Sequence, residues 1–232
     1  MEISPARNRR ILRPLLKHIV ARTYKPLLTK YLSKLREYSY DDIHLEIPPQ
    51  VFHPGFFFST RFLLQYIASL SLQAQRFLEL GAGSGLISIH AAKNGAVVTA
   101  TDINPVAIEF LKKNSRRNDV ELTIIQSDMF RHIPAQTFDI IAINPPYYKK
   151  QPLTEKDHAW YCGKNGEYFQ ELFSELEEYI HKNSLVLMVI SEECDIDMIS
   201  KIAADRNFYI QRKITKKSFW EYLFIYQIAL IQ

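Results

Sequence analysis

The chain reads as an α/β protein, a doubly wound seven-stranded sheet whose last two strands form an antiparallel hairpin, preceded by a small helical segment. Three observations predict this. From residue 76 onward, apolar strand-like runs alternate with helix-like stretches, the order that builds a parallel sheet. Gly81, Gly83 and Gly85 fall between the first such run and a helix opening at 87–92. The last two runs, 208–216 and 220–231, stand too close for a crossover helix, so they pair as a hairpin.

In order, the spacing predicts a strand at 76–81, a helix at 85–93, a strand at 96–102 and a helix at 105–116. Strands at 121–127 and 138–143, a helix at 165–182, a strand at 184–191 and a helix at 195–205 lead into the closing hairpin. Upstream, Ser59 or Thr60 caps a helix at 61–67. The proline-punctuated stretch 41–54 is an extended connector, because the residue before a proline is driven away from helical angles. Phe56, Phe57 and Phe58 either pack in the core or cover a site. Farther upstream, apolar positions from Leu12 to Val20 and from Leu27 to Leu35 keep a helical period broken near Pro26, which fits two short amphipathic helices. The division that follows is a basic helical extension with linker over 1–50 and a main domain over 51–232.

The net charge of +4 conceals an asymmetry. Residues 1–36 hold ten Lys and Arg against Glu2 alone, a local +9 that leaves the remaining chain at −5. Such an arm is either a helical cap with a solvated basic face or a surface for an acidic partner such as RNA or the ribosome. No apolar stretch reaches 18 residues, so no membrane span is predicted. The start of the chain lacks the apolar core and cleavage signal of a leader, and only Cys162 and Cys194 are present, so a reducing cytoplasm is expected. Neither these cysteines nor the seven histidines show metal-ligand spacing, and no metal is predicted.

Two constellations carry chemistry. Asn144-Pro145-Pro146-Tyr147 follows the apolar run 138–143 directly. Its prolines fix φ and donate no backbone N–H, so the segment offers carbonyl acceptors, to which Asn144 adds a side-chain oxygen and Tyr147 a flat face. A planar amino group needs those features, although a Pro-Pro turn also serves simply to end a strand. Upstream, Glu79-Leu80-Gly81-Ala82-Gly83-Ser84-Gly85 gives the order strand, glycine turn, helix. The spacing is G-x-G-x-G and lacks both the dinucleotide fingerprint and the P-loop lysine. A second strand then ends at Asp102, about 20 residues past the glycines, where such folds bind ribose hydroxyls. Gly81 to Gly85, Asp102, Asp128 and Asn144 all fall at the carboxyl ends of strands, where a parallel sheet binds ligands. Bland readings stand beside these: turn geometry for the glycines, a helix cap for Asp102, a turn for Asp128.

Glu79 to Gly85, Asp102-Ile103-Asn104-Pro105, Ser127-Asp128-Met129 and Asn144 to Tyr147 resemble, in order and interval, the class I S-adenosylmethionine-dependent methyltransferases, whose sheet is Rossmann-like. The resemblance covers roughly residues 50–232. It implies S-adenosylmethionine as cofactor, S-adenosylhomocysteine as product, and a cofactor site bordered by Thr60, Glu79, Gly81, Ala82, Gly83, Gly85, Asp102, Ile103, Ser127, Asp128, Met129 and Asn144. Asp102 would take the ribose hydroxyls, Asp128 the adenine amino group and Glu79 the cofactor's polar end. Asn144, Pro145, Pro146 and Tyr147 would be catalytic, as in the members that methylate nucleobase amino groups or a glutamine amide. The segment 159–167, Ala-Trp-Tyr-Cys-Gly-Lys-Asn-Gly-Glu, is similar to the HemK/PrmC-type protein-glutamine methyltransferases, with Cys162-Gly163 where that family has paired glycines.

The first functional reading is therefore methylation of a glutamine side-chain amide in a protein such as a release factor. That family usually carries a longer helical domain ahead of its core, where about 50 residues stand here, so the second reading stays open. It is methylation of a base amino group in rRNA or tRNA, which the basic arm suits by neutralising phosphates. A non-catalytic scaffold is third, and neither motif is degraded.

Overall fold

The computed structural model describes residues 30–56, 58–218 and 221–231. Most of the two expected amphipathic helices, and Phe57, lie outside the described residues. Helical backbone at 30–32 ends before the expected Leu35, and the chain enters strand β1 (Arg36–Tyr40). Strand β2 (Ile43–Ile47) returns antiparallel to it. The connector is thus extended as expected, but it is paired in a hairpin that the sequence reading lacked. The signal was present: Ile43, Leu45 and Ile47 alternate with His44 and Glu46, and all three are buried.

Helix α1 (Phe58–Ile67) follows, then β3 (Arg76–Leu80), α2 (Leu86–Lys93), β4 (Val97–Asp102), α3 (Pro105–Arg117) and β5 (Thr123–Gln126). The chain continues through β6 (Phe138–Ile143), α4 (Glu167–Glu175), β7 (Ile180–Ser191), α5 (Ile196–Ala204), β8 (Phe208–Lys217) and β9 (Tyr222–Leu230). The main sheet has seven strands in the order β5-β4-β3-β6-β7-β9-β8. Strands β3 to β7 run parallel, while β9 lies antiparallel to both β7 and β8, the expected closing hairpin.

Side chains two apart along a strand share a face, and the sequence loads both faces with apolar residues, as a parallel sheet covered on both sides requires. On one face Phe77, Ile140, Ala142 and Leu187 meet Leu63 and Ile67 of α1, Ile87 and Ala91 of α2 and Leu111 of α3. On the other, Leu78, Ile141, Ile143 and Met188 meet Phe169 and Phe173 of α4 and Ile199 of α5. The β1–β2 hairpin closes over the first face. Asn114 on α3 and Asn118 at its C-terminal cap, one turn apart, substitute for a further strand: each exchanges two hydrogen bonds, at 2.7 to 3.0 Å, with the backbone of Glu46 and His44 respectively.

Two expected elements differ. Helix α1 starts at Phe58, so Ser59 and Thr60 lie inside its first turn rather than capping it. The helix expected over 165–182 is α4 followed by a 3-10 turn, Leu176–Tyr179, and β7 begins at Ile180. The tighter turn buries Leu176 and Tyr179, three apart, and points the Tyr179 hydroxyl at the carbonyls of Phe130 and Ile133 at 3.3 and 3.2 Å. Among the described residues, no helix is long and apolar enough to cross a membrane.

Candidate active site

The chain runs from β3 out to β5 on one side, then returns to place β6 on the other, so the switch point of the sheet lies between β3 and β6. Both motifs sit there, at the carboxyl ends of those two strands. At Gly81 φ is +72°, and an added Cβ would meet no atom within 4 Å, so the turn keeps an open side. At Gly85 φ is +86°, a left-handed backbone that favours glycine at the start of α2, and an added Cβ would fall 2.2 Å from Leu111 Cδ1 and push that side chain aside.

Asp102, last in β4, holds the turn: its Oδ2 accepts from the Gly83 N–H at 2.8 Å and its Oδ1 from the Asn104 N–H at 2.9 Å. Each oxygen retains a lone pair. Burial pushes the Asp102 carboxyl up despite those two donors. The cap of α3 is Asn104, not Asp102: its side chain accepts from the Val106 N–H at 2.9 Å, with Pro105 opening the helix. Glu79 is buried in β3, and its Oε2 accepts from both the backbone N–H and the hydroxyl of Ser88 on α2. Burial outweighs those donors and pushes its carboxyl up to about 8.

Ser127 is buried, and its N–H donates to the Asp102 carbonyl at 3.0 Å, linking the ends of β4 and β5. Asp128 is 39% exposed and lies 3.5 Å from Arg131. Met129 follows at φ +47°, a strained value for a side chain of its size. After β6, Asn144 donates through Nδ2 to Thr60 Oγ1 at 3.1 Å and accepts at Oδ1 from the Tyr147 hydroxyl at 3.0 Å. Pro145 and Pro146 are buried. Burial pushes the Tyr147 phenol well above its ordinary range, so it stays protonated and donates.

The segment 159–167 lies against this loop. Tyr148 donates its N–H to the Trp160 carbonyl at 2.8 Å, Cys162 to the Tyr148 carbonyl at 2.9 Å and Gly163 to the Lys150 carbonyl at 3.1 Å. Trp160 then stands over the cleft with its ring 5.3 Å from that of Phe52, so it covers the site rather than filling the core. Phe58, expected in the core or over the site, is 43% exposed and lines the cavity.

These residues enclose one cavity of about 360 Å³. Every residue expected to border a cofactor lines it except Gly85, whose role is the tight start of α2. Phe52, Tyr168 and Glu221 also line it, and the sequence reading assigned them no role there; Trp160 and Tyr161, which the sequence leaves as either lid or core, line it too. Six acidic side chains line the walls (Glu79, kept protonated at neutral pH by burial, with Asp102, Asp128, Glu167, Glu171 and Glu221) and, among the described residues, no lysine or arginine does. Such walls suit a ligand bearing a positive sulfur, an amino group and ribose hydroxyls, and repel the phosphates of a dinucleotide. The residues present therefore fit S-adenosylmethionine. Among the described residues, no cluster of three or more His, Cys, Asp or Glu could hold a metal ion.

A glycine turn at the switch point, a carboxylate closing the neighbouring strand and an acidic cavity define an S-adenosylmethionine-dependent methyltransferase. The chain belongs to the methyltransferase small domain family, whose model matches residues 45–199. It is 32% identical over 157 residues to a chain of Methanocaldococcus jannaschii provisionally named as a protein N5-glutamine methyltransferase, an overlap of 65% of this chain and 77% of the relative. It is 35% identical over 99 residues to a release factor glutamine methyltransferase of Bacteroides thetaiotaomicron, covering 41% of this chain but only 36% of that longer protein. In fold it resembles the T. thermophilus 16S rRNA N2 guanine methyltransferase solved with AdoMet and guanosine, with a TM-score of 0.64 and 18% identity over 86% of this chain and 51% of that one.

Proposed function

We propose that the chain methylates the side-chain amide nitrogen of a glutamine in a protein. One observation carries the reading: beyond the three acidic residues given to the cofactor, the cavity is lined by Glu167, Glu171 and Glu221 and, among the described residues, by no lysine or arginine. A glutamine reaches such a cavity on its own short stem. A nucleobase would bring flanking phosphates toward those carboxylates, at a cost that rises as water is excluded. The names of the M. jannaschii and B. thetaiotaomicron relatives agree with a glutamine acceptor.

When bound, S-adenosylmethionine supplies a methyl group already activated by its positive sulfur. The chain's own work is binding and orientation, which can lower a barrier by several kcal/mol without a general base. In this reading Asp102 accepts ribose hydroxyls, Asp128 the adenine amino group, and Glu79 faces the cofactor's polar end. The remaining Asn144 Oδ1 lone pair and the Pro145 carbonyl accept the two amide N–H groups. As charge develops on the attacked nitrogen those two acceptors strengthen their hold, favouring the transition state over the resting amide. Tyr147 anchors Asn144, and Phe52 with Trp160 excludes water.

A second reading, methylation of a base amino group in RNA, is favoured by the four exposed cations Arg212, Lys213, Lys216 and Lys217 on the edge strand β8. Labelled S-adenosylmethionine incubated with the protein and whole-cell extract, with and without ribonuclease, separates the two. Label retained in protein after ribonuclease supports the glutamine reading, and label lost with the RNA overturns it.

A further inference from the structure

Asn144 stands between two hydroxyls from distant parts of the chain. Thr60 lies 84 residues before it in sequence, in the first turn of α1, and packing of Phe62, Leu63 and Ile67 fixes that helix beside the sheet. Tyr147 reaches back from the same loop. An asparagine amide has two orientations that exchange its oxygen and its NH2, and its last torsion favours neither strongly. One presents an acceptor to an incoming amino group, and the other presents a donor, which repels it.

The two hydroxyls are chemically unequal, and that inequality selects the orientation. A phenol, with a pKa near 10, is the stronger donor and the weaker acceptor, whereas an aliphatic hydroxyl accepts well. In the observed arrangement the phenol donates to Oδ1 at 3.0 Å and the threonine oxygen receives Nδ2 at 3.1 Å. The exchanged arrangement would ask the phenol to accept and the threonine to donate, the poorer match at both ends. Oδ1 accepts one hydrogen bond from Tyr147 and keeps its second lone pair.

We propose that Thr60 is a positioning residue for methyl transfer, rather than a contact to the cofactor: together with Tyr147 it holds the Asn144 amide with Oδ1 available to the acceptor's N–H. This rests on the N-methylation reading above. In the step it serves, one N–C bond forms from the nitrogen lone pair, one S–C bond breaks with its electron pair returning to sulfur, and one N–H proton leaves to water. Asn144 accepts from the nitrogen throughout, so an amide held the wrong way round costs turnover and leaves cofactor binding alone.

The test compares Thr60→Val, which keeps the shape and removes the hydroxyl, with Thr60→Ser, Tyr147→Phe and the Thr60→Val/Tyr147→Phe double variant. Methyl transfer from labelled S-adenosylmethionine into extract is measured at saturating cofactor, alongside cofactor affinity by calorimetry and the melting temperature. Loss of one orienting hydrogen bond should slow Thr60→Val by about tenfold, with affinity within about twofold of wild type. Thr60→Ser should recover most of the rate. The double variant should be slowed by less than the product of the two single effects, because both hydroxyls act through one amide. A Thr60→Val enzyme as fast as wild type, one that loses affinity in step with rate, or a Thr60→Ser no faster than Thr60→Val would each overturn the assignment. Absence of label from both protein and RNA with the wild type would overturn the N-methylation reading and this inference with it.

Discussion

The Asp102 carboxylate accepts the Gly83 N–H at 2.8 Å and so couples the end of β4 to the glycine turn that ends β3. With the Asn104 N–H on its other oxygen at 2.9 Å, this carboxylate is fixed before any ligand arrives. Preorganisation of this kind spares binding the cost of ordering a side chain. Asp102→Ala should weaken S-adenosylmethionine binding by about a hundredfold, two hydroxyl contacts at about 1.4 kcal/mol each. Asp102→Asn, which keeps one acceptor oxygen, should fall between. Titration calorimetry measures both, and unaltered affinity in Asp102→Ala would remove this residue from the ribose site.

Asn144 contacts the acceptor in the proposed arrangement, so its truncation separates binding from chemistry. Asn144→Ala should keep cofactor affinity within about threefold and lower turnover at saturating cofactor by roughly 10² to 10³, the scale for removing one group that stabilises developing charge. Retained turnover would take Asn144 out of the reaction.

What was legible in the sequence followed from local chain geometry. Three glycines after a strand, an aspartate ending the next and two prolines ending a third each constrain their own backbone, and the alternation of strands and helices brings their ends to one sheet edge. What was not legible depends on partners far away in the chain. The Phe52–Trp160 contact spans more than 100 residues, and neither ring carries a local mark of its position over the cleft. The β1–β2 hairpin was half legible: its alternation was there to read, but its edge is satisfied by Asn118 at a helix cap and Asn114 inside that helix, where asparagine is an indifferent choice on propensity alone. Helix α4 stopped early for a similar reason, because Tyr179 is drawn to carbonyls at 130 and 133 that no window around it contains.

The paired asparagines make the hairpin's attachment testable. Asn114 is fully buried; its Oδ1 accepts from the Glu46 N–H and its Nδ2 donates to the carbonyls of Glu46 and Ser84. Asn114→Ala strands three backbone groups, and at about 1 kcal/mol or more for each the loss should be roughly 3 kcal/mol. Asn118→Ala, at the outer end of the same strand, should cost less. Urea denaturation reads both, and a midpoint unmoved in Asn114→Ala would show that the helix does not hold β2.

Glu79 supplies the prediction with the clearest sign. Its carboxyl titrates near 8 in the folded chain against an ordinary 4.5, because burial disfavours the charged form more than Ser88 supports it. Below 4.5 both folded and unfolded states are protonated there, and the site adds no pH dependence. As pH rises from 4.5 toward 8 the unfolded chain gives up its proton while the folded one keeps it, so stability falls through that window, by up to a few kcal/mol. The difference between wild type and Glu79→Gln isolates this site: the gap in their urea midpoints should shift in favour of Glu79→Gln between pH 5 and pH 8. A cofactor that brings positive charge to this carboxyl must favour its ionised form, so binding at pH 7 should release close to one proton in wild type and none in Glu79→Gln. Calorimetry in two buffers of different ionisation enthalpy counts that proton. If both proteins release the same number, Glu79 is not the group that meets the cofactor's positive end.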